Sequence, residues 1–146
     1  MNRANVIDVL NRLLTLLYRS LPMYFQGARP WTSPESRQSV DVLTRVADDQ
    51  RMYAQRIAKA ILDEGGRPAA GQFPIEFTGI HDCSLDFLVR RAAEDQRRDL
   101  EVIRQCVAAL ADRPRLQALA EEILGNALGH LETLEEVQAG VMKDER

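Results

Sequence analysis

The side chains in this chain that could do chemistry are few. It has two histidines, His81 and His130, and two cysteines, Cys83 and Cys106. His130 falls on an apolar helical stripe with Ala127, Leu134 and Val137. An imidazole there either ligates a metal or sits buried and neutral with one hydrogen-bond partner, and for a lone histidine the second reading is favoured. Asp49 lies beside Gln50 at the edge of another stripe and could pair with His130, orienting the ring. A carboxylate and an imidazole alone are two ligands, too few for a tight transition-metal site. His81-x-Cys83 would offer zinc one pair, but no second pair supports it. Cys106 borders an apolar face and reads as a packing thiol, and Met52 reads as a core methionine. The two cysteines stand far apart on one helix, so they cannot bridge, and reduced thiols point to the cytoplasm. Tyr24 reads as a core-edge aromatic, and Trp31 as an exposed anchor for a subunit contact.

The elements that must position these groups are all helical. From about Asn5 to Gly27, apolar residues at Val6, Leu10, Leu13, Leu17, Leu21 and Tyr24 keep a helical period. Asn5 is the expected N-cap, and Pro22 should kink the helix because it removes a hydrogen bond and crowds the preceding turn. A second helix is announced by Thr32-Ser33-Pro34-Glu35 and runs to about Glu64, where Gly65-Gly66 stops it. Its inward face reads Val40, Leu43, Ala47, Gln50, Tyr53 or Ala54, Ile57 and Ile61. From Gly65 to about Ile80 no helical period is present. A third helix runs from Asp82 or Ser84 to about Ala111 with Leu85, Val89, Ala92, Gln96, Leu100 and Ile103 inward. A fourth follows the Pro114 break to about Met142.

Helices of roughly 23 to 31 residues are well above the usual mean of about 11 to 12. With a long crossover between the second and third, they predict an all-α, antiparallel four-helix bundle of the ferritin-like kind, one domain over residues 1–146. Local sequence agrees. Leu10-Asn11-Arg12-Leu13-Leu14, Tyr24-Phe25-Gln26-Gly27, Asp48-Asp49-Gln50-Arg51-Met52 and Gly129-His130-Leu131-Glu132 resemble stretches of the bacterioferritins, over nearly the whole chain.

That resemblance implies iron storage, and a di-iron site built from a Glu on each of two helices and a Glu-x-x-His on each of the other two. Here the first Glu falls on Leu17. The first Glu-x-x-His falls on Asp49-x-x-Met52, and the second on Ala127-x-x-His130. The haem-binding methionine falls on Gln50, so haem is not expected. Tyr24 matches a tyrosine near the iron site. An ungapped count back from His130 puts Glu94 at the helix-three position. Helical phase turns Glu94 to the opposite, solvated side, in an Arg90-Glu94-Arg98 series, and gives the slot to Ala92 or Ala93.

The resemblance therefore implies a divergent bacterioferritin-like protein with an incomplete ferroxidase centre. Its role would be structural or binding, as a homodimer or larger assembly or beside another ferritin subunit. No resident cofactor is expected, and iron is the metal the resemblance suggests. The alternative is a metal-binding protein or oxidoreductase with a mononuclear metal site of Asp49, Glu94 and His130, a two-carboxylate, one-histidine set. Bacterioferritins carry a further short helix that lines a cage axis. The chain ends soon after helix four, so a 24-subunit shell is not the expected assembly. The net charge of −3 and the lack of a basic tail disfavour nucleic-acid binding and a DNA-protecting mini-ferritin. No run reaches the roughly 18 apolar residues of a membrane span, and Asp8, Asn11 and Arg12 interrupt any leader-like segment.

Overall fold

A computed structural model describes residues 1–27 and 36–144, with the side chains of 80–82 and 141–144 left aside. Trp31 and the Thr32–Glu35 capping signal lie outside the described residues, as does the His81 side chain. The helices are α1 (Arg3–Tyr18), α2 (Leu21–Gly27), α3 (Arg37–Asp63), α4 (Leu85–Ala109) and α5 (Pro114–Asp144), with a 3-10 helix over Ile75–Asp82. No strand occurs among the described residues. None of their helices is long and apolar enough to cross a membrane.

α1 and α2 form one leg of the bundle, and α3, α4 and α5 are the other three. Asn2 caps α1, accepting from the Asn5 N–H at 2.9 Å. The expected cap at Asn5 is thus displaced by three residues, since an Asn ahead of the first turn satisfies the same orphan donor. The expected kink at Pro22 is a full break. Pro22 has no N–H for the Tyr18 carbonyl, so α1 ends there and the chain restarts at Leu21. Ser20 caps the restart, its hydroxyl accepting from the Met23 N–H at 3.3 Å.

Gly65 ends α3 at φ +80°. Its N–H donates to the Leu62 carbonyl and that of Gly66 to Ile61, which closes the helix in a left-handed cap. A Cβ at Gly65 would also collide with the Arg3 guanidinium. The crossover then runs along α1. Asn11 bridges the Arg67 carbonyl and the Ala69 N–H, and Arg19 Nε donates to the Gly71 carbonyl at 2.6 Å. Asn11 and Arg19 sit eight residues apart, on one face of α1 and its C-cap. The crossover ends in an aromatic cluster, with Tyr24 at 5.1 Å from Phe73 and 5.6 Å from Phe77 between ring centres. Tyr24 is therefore the aromatic that pins the crossover to α2.

The core has two apolar halves. One gathers Leu10, Leu13, Leu17, Ile57, Ile61, Leu100, Ile103 and Ile123. The other gathers Leu21, Phe25, Leu43, Val46, Leu88, Val89 and Leu134. The order in which each leg passes from one half to the other makes α3 and α4 run the same way, which is why a long crossover must join them.

Candidate functional site

Between the two apolar halves lies a polar layer around a cavity of about 20 Å³. Each leg of the bundle contributes. α1 supplies Leu17, which is buried. α3 supplies Gln50, 5% exposed, whose Oε1 accepts from the Ser20 hydroxyl at 2.5 Å. The α1–α2 break is what brings Ser20 into reach. α4 supplies Gln96, 8% exposed, whose Nε2 donates to the Ala127 carbonyl at 3.3 Å. α5 supplies Ala127 and His130, both buried.

His130 Nε2 lies 2.7 Å from Asp49 Oδ2, and the same oxygen accepts from Asn126 Nδ2 at 3.1 Å. Partial burial pushes the Asp49 carboxyl up, but the hydrogen bonds from Asn126 and His130 and the charges of His130 and Arg45 outweigh it and hold it below the ordinary carboxylate value. An ionised carboxylate only accepts, so the His130 Nε2 that faces it carries a proton.

One further acid reaches the layer. Asp99 on α4 lines the cavity beside Gln96. Burial pushes its carboxyl up to about 6, Arg98 opposes the shift, and Asp95 adds to it. Among the described residues it has no hydrogen bond or ion pair. Sequence reasoning missed Asp99, although it shares the helical phase of Gln96 and Ile103, three residues before and four after it.

The structure thus brings Asp49 and His130 together and leaves Glu94 exposed on the outside of α4. Its neighbour Arg98 bonds Asp95 rather than Glu94. The three-residue set Asp49, Glu94 and His130 is not assembled, because Glu94 is out of phase with the inward residues of α4 by nearly half a turn. Among the described residues no three His, Cys, Asp or Glu side chains are grouped so as to hold a metal.

Two other expectations need correction. Met52 is 42% exposed rather than packed, because Gln50, two residues earlier, takes the inward position. The α4 residues at the cavity are Gln96, Asp99 and Ile103 rather than Ala92 or Ala93. Cys106 is buried among Leu100, Ile103 and Leu110, as a packing thiol should be. Cys83 is half-buried, its thiol turned to the Gly79 carbonyl at 3.6 Å.

No protein-family model matches the chain, and no curated protein matches it in sequence. Among solved structures it is similar to the bacterioferritin of Desulfovibrio desulfuricans, a protein described with a di-iron site. The two share 16% sequence identity and superpose with a TM-score of 0.71, over 98% of this chain and 85% of that one. A likeness at that identity speaks to architecture and not to activity. The chain has the ferritin-like helical-bundle fold that bacterioferritin has.

Proposed function

We propose that this chain is a bacterioferritin-like protein without a complete ferroxidase centre, serving a structural or binding role linked to iron storage or to assembly with another ferritin subunit. The observation that carries this reading is the identity of the inward residues. A di-iron centre in such a bundle needs a Glu from each of two helices and a Glu-x-x-His from each of the other two. Around the cavity stand Leu17, Gln50, Gln96 and Ala127, two apolar groups and two neutral amides, and the one carboxylate on its wall, Asp99, belongs to no group of three ligand side chains among the described residues. Asp49 and His130 are the ligand types that remain together, and two ligands do not fit a di-iron centre.

The substitutions form a coherent set. Buried carboxylates without a compensating cation are costly, and the amides of Gln50 and Gln96 keep the layer polar without adding charge. Leu17 and Ala127 fill the rest of the layer with packing groups. Gln50 is buried and engaged by Ser20, which argues against haem at that position. Self-association belongs to the same reading. It is supported by the fold and by large exposed apolar side chains on the first two legs, Tyr18, Met52 and Leu62.

The test is ferrous iron oxidation in air, read by absorbance, with solution mass by light scattering. The expected outcome is oxidation no faster than the buffer blank, from a dimer or larger species. Rapid turnover stoichiometric at two irons per chain would overturn the reading.

A further inference from the structure

A groove of about 190 Å³ opens on the side of the bundle where α1 breaks, between the α1–α2 junction, the crossover and α4. Leu16, Leu21, Pro22 and Phe77 wall it, and Gln96 and Asp99 lie at the end it shares with the central cavity. The charges along it are otherwise engaged. Arg19 donates to the Gly71 carbonyl and lies 4.9 Å from the Phe73 ring centre. Asp95 is held by both Arg91 and Arg98. The Asp99 carboxylate stands without a partner among the described residues. The amide nitrogen of Gln96 is used on the Ala127 carbonyl, so the amide oxygen is the acceptor it has left.

We propose that this groove binds a small primary amine, its ammonium received by Asp99 and the Gln96 amide oxygen and its apolar body laid against Leu21, Pro22 and Phe77. The groups left over at the deep end are acceptors, so the ligand must donate. A half-buried carboxylate is stabilised most by a charged donor, and an ammonium supplies three N–H groups from one compact centre. The carboxylate and one amide oxygen are too few ligands for a metal ion. The groove is smaller than the roughly 300–1,000 Å³ of drug-sized pockets, which limits the ligand to a short alkyl or arylalkyl amine. The ammonium leaves water for a site that already excludes much of it, and the apolar walls keep the carboxylate from being satisfied by solvent alone. An elevated carboxyl at Asp99 is the signature expected of such a site.

The test is a two-dimensional amide NMR titration of the full chain above pH 7 with phenethylamine and, as its neutral analogue, 2-phenylethanol. Saturable shifts at Ser20, Leu21 and the Gln96–Leu100 turn with the amine, and at least tenfold weaker binding of the alcohol, are expected. Asp99→Asn should weaken the amine at least tenfold, and Glu94→Gln, on the outer side of α4, should leave it unchanged. Equal binding of amine and alcohol would overturn the proposal, and that comparison uses wild-type protein alone. So would the absence of saturable shifts, or an Asp99→Asn variant that keeps its affinity.

Discussion

Asp49 reaches solvent from α3, His130 is buried on α5, and the two meet at 2.7 Å across the helix interface. The contact ties the polar layer to the surface and holds the imidazole in one orientation. Asp49→Ala would leave both His130 Nε2 and Asn126 without their acceptor. Because water reaches the Asp49 side, the expected loss is about 1 kcal/mol, at the low end for a broken charge-assisted hydrogen bond. The pH dependence has a definite sign. The carboxyl is held below its ordinary value of 3.8 in the folded chain, so its stabilisation is present above that value and is lost as pH falls through the folded one. Urea midpoints of wild type and variant should differ at pH 7 and differ less at pH 3. A gap that is the same at both pH values would mean the carboxylate charge is not what stabilises the contact.

Asp99 has the opposite sign. Burial raises its carboxyl to about 6 in the folded chain, against 3.8 when free. Between these values the folded state binds more protons than the unfolded one, so stability falls as pH rises through that window and stays lower above it. Asp99→Asn removes the charge and keeps the shape. At pH 7.5 it should stabilise the fold by on the order of 2 kcal/mol, with the advantage gone below about pH 4. Chemical denaturation at pH 4 and pH 7.5 measures it, and destabilisation at pH 7.5 would show an unseen partner for the carboxylate.

Much of this architecture was legible in the sequence. The inward stripes of all four legs, the crossover, and the places of Leu17, Gln50, Gln96, Ala127 and His130 on core faces follow from the 3.6-residue period. What escaped was set by tertiary contacts. Pro22 signals a disturbance, but the Ser20 hydroxyl accepting from the Met23 N–H makes it a break with a new cap. Met52 lies three residues on from Asp49, while the inward phase of α3 runs through Gln50. Asp99 carries a charge typical of a surface residue, yet its phase with Gln96 and Ile103 puts it at a half-buried place. The 3-10 helix over Ile75–Asp82 has no repeating apolar signal and takes its shape from packing against α2.

The cysteines give a simple chemical check. Cys106 is buried, and burial pushes its thiol up, with Arg12 opposing. Cys83 precedes α4 and is partly accessible. The helix between them separates the two by roughly 30 Å at 1.5 Å per residue. A thiol reagent should label one cysteine per native chain quickly, identified by mass spectrometry as Cys83, and the second only in denaturant. Equal labelling rates would contradict the packing of α4 against α1.

The glutamines permit the sharpest test of the polar layer, because replacing an amide by a carboxyl changes charge with almost no change in volume. Gln96 donates to the Ala127 carbonyl, and a carboxylate at the same place cannot. Gln96→Glu would put a charge in the layer beside Asp99, where the arginines lining the adjoining groove, Arg19 and Arg98, are already engaged by the Gly71 carbonyl and by Asp95. Its folded pKa must therefore rise, by desolvation and by repulsion from Asp99. The protonated acid can still donate, so the variant should be near wild type at pH 4. Stability should then fall as pH rises above the ordinary Glu value, by about 3 kcal/mol or more at pH 8. Urea unfolding at the two pH values reads this directly. A variant as stable as wild type at pH 8 would mean that the layer tolerates an acid, and the argument that buried charge is excluded there would lose its physical basis.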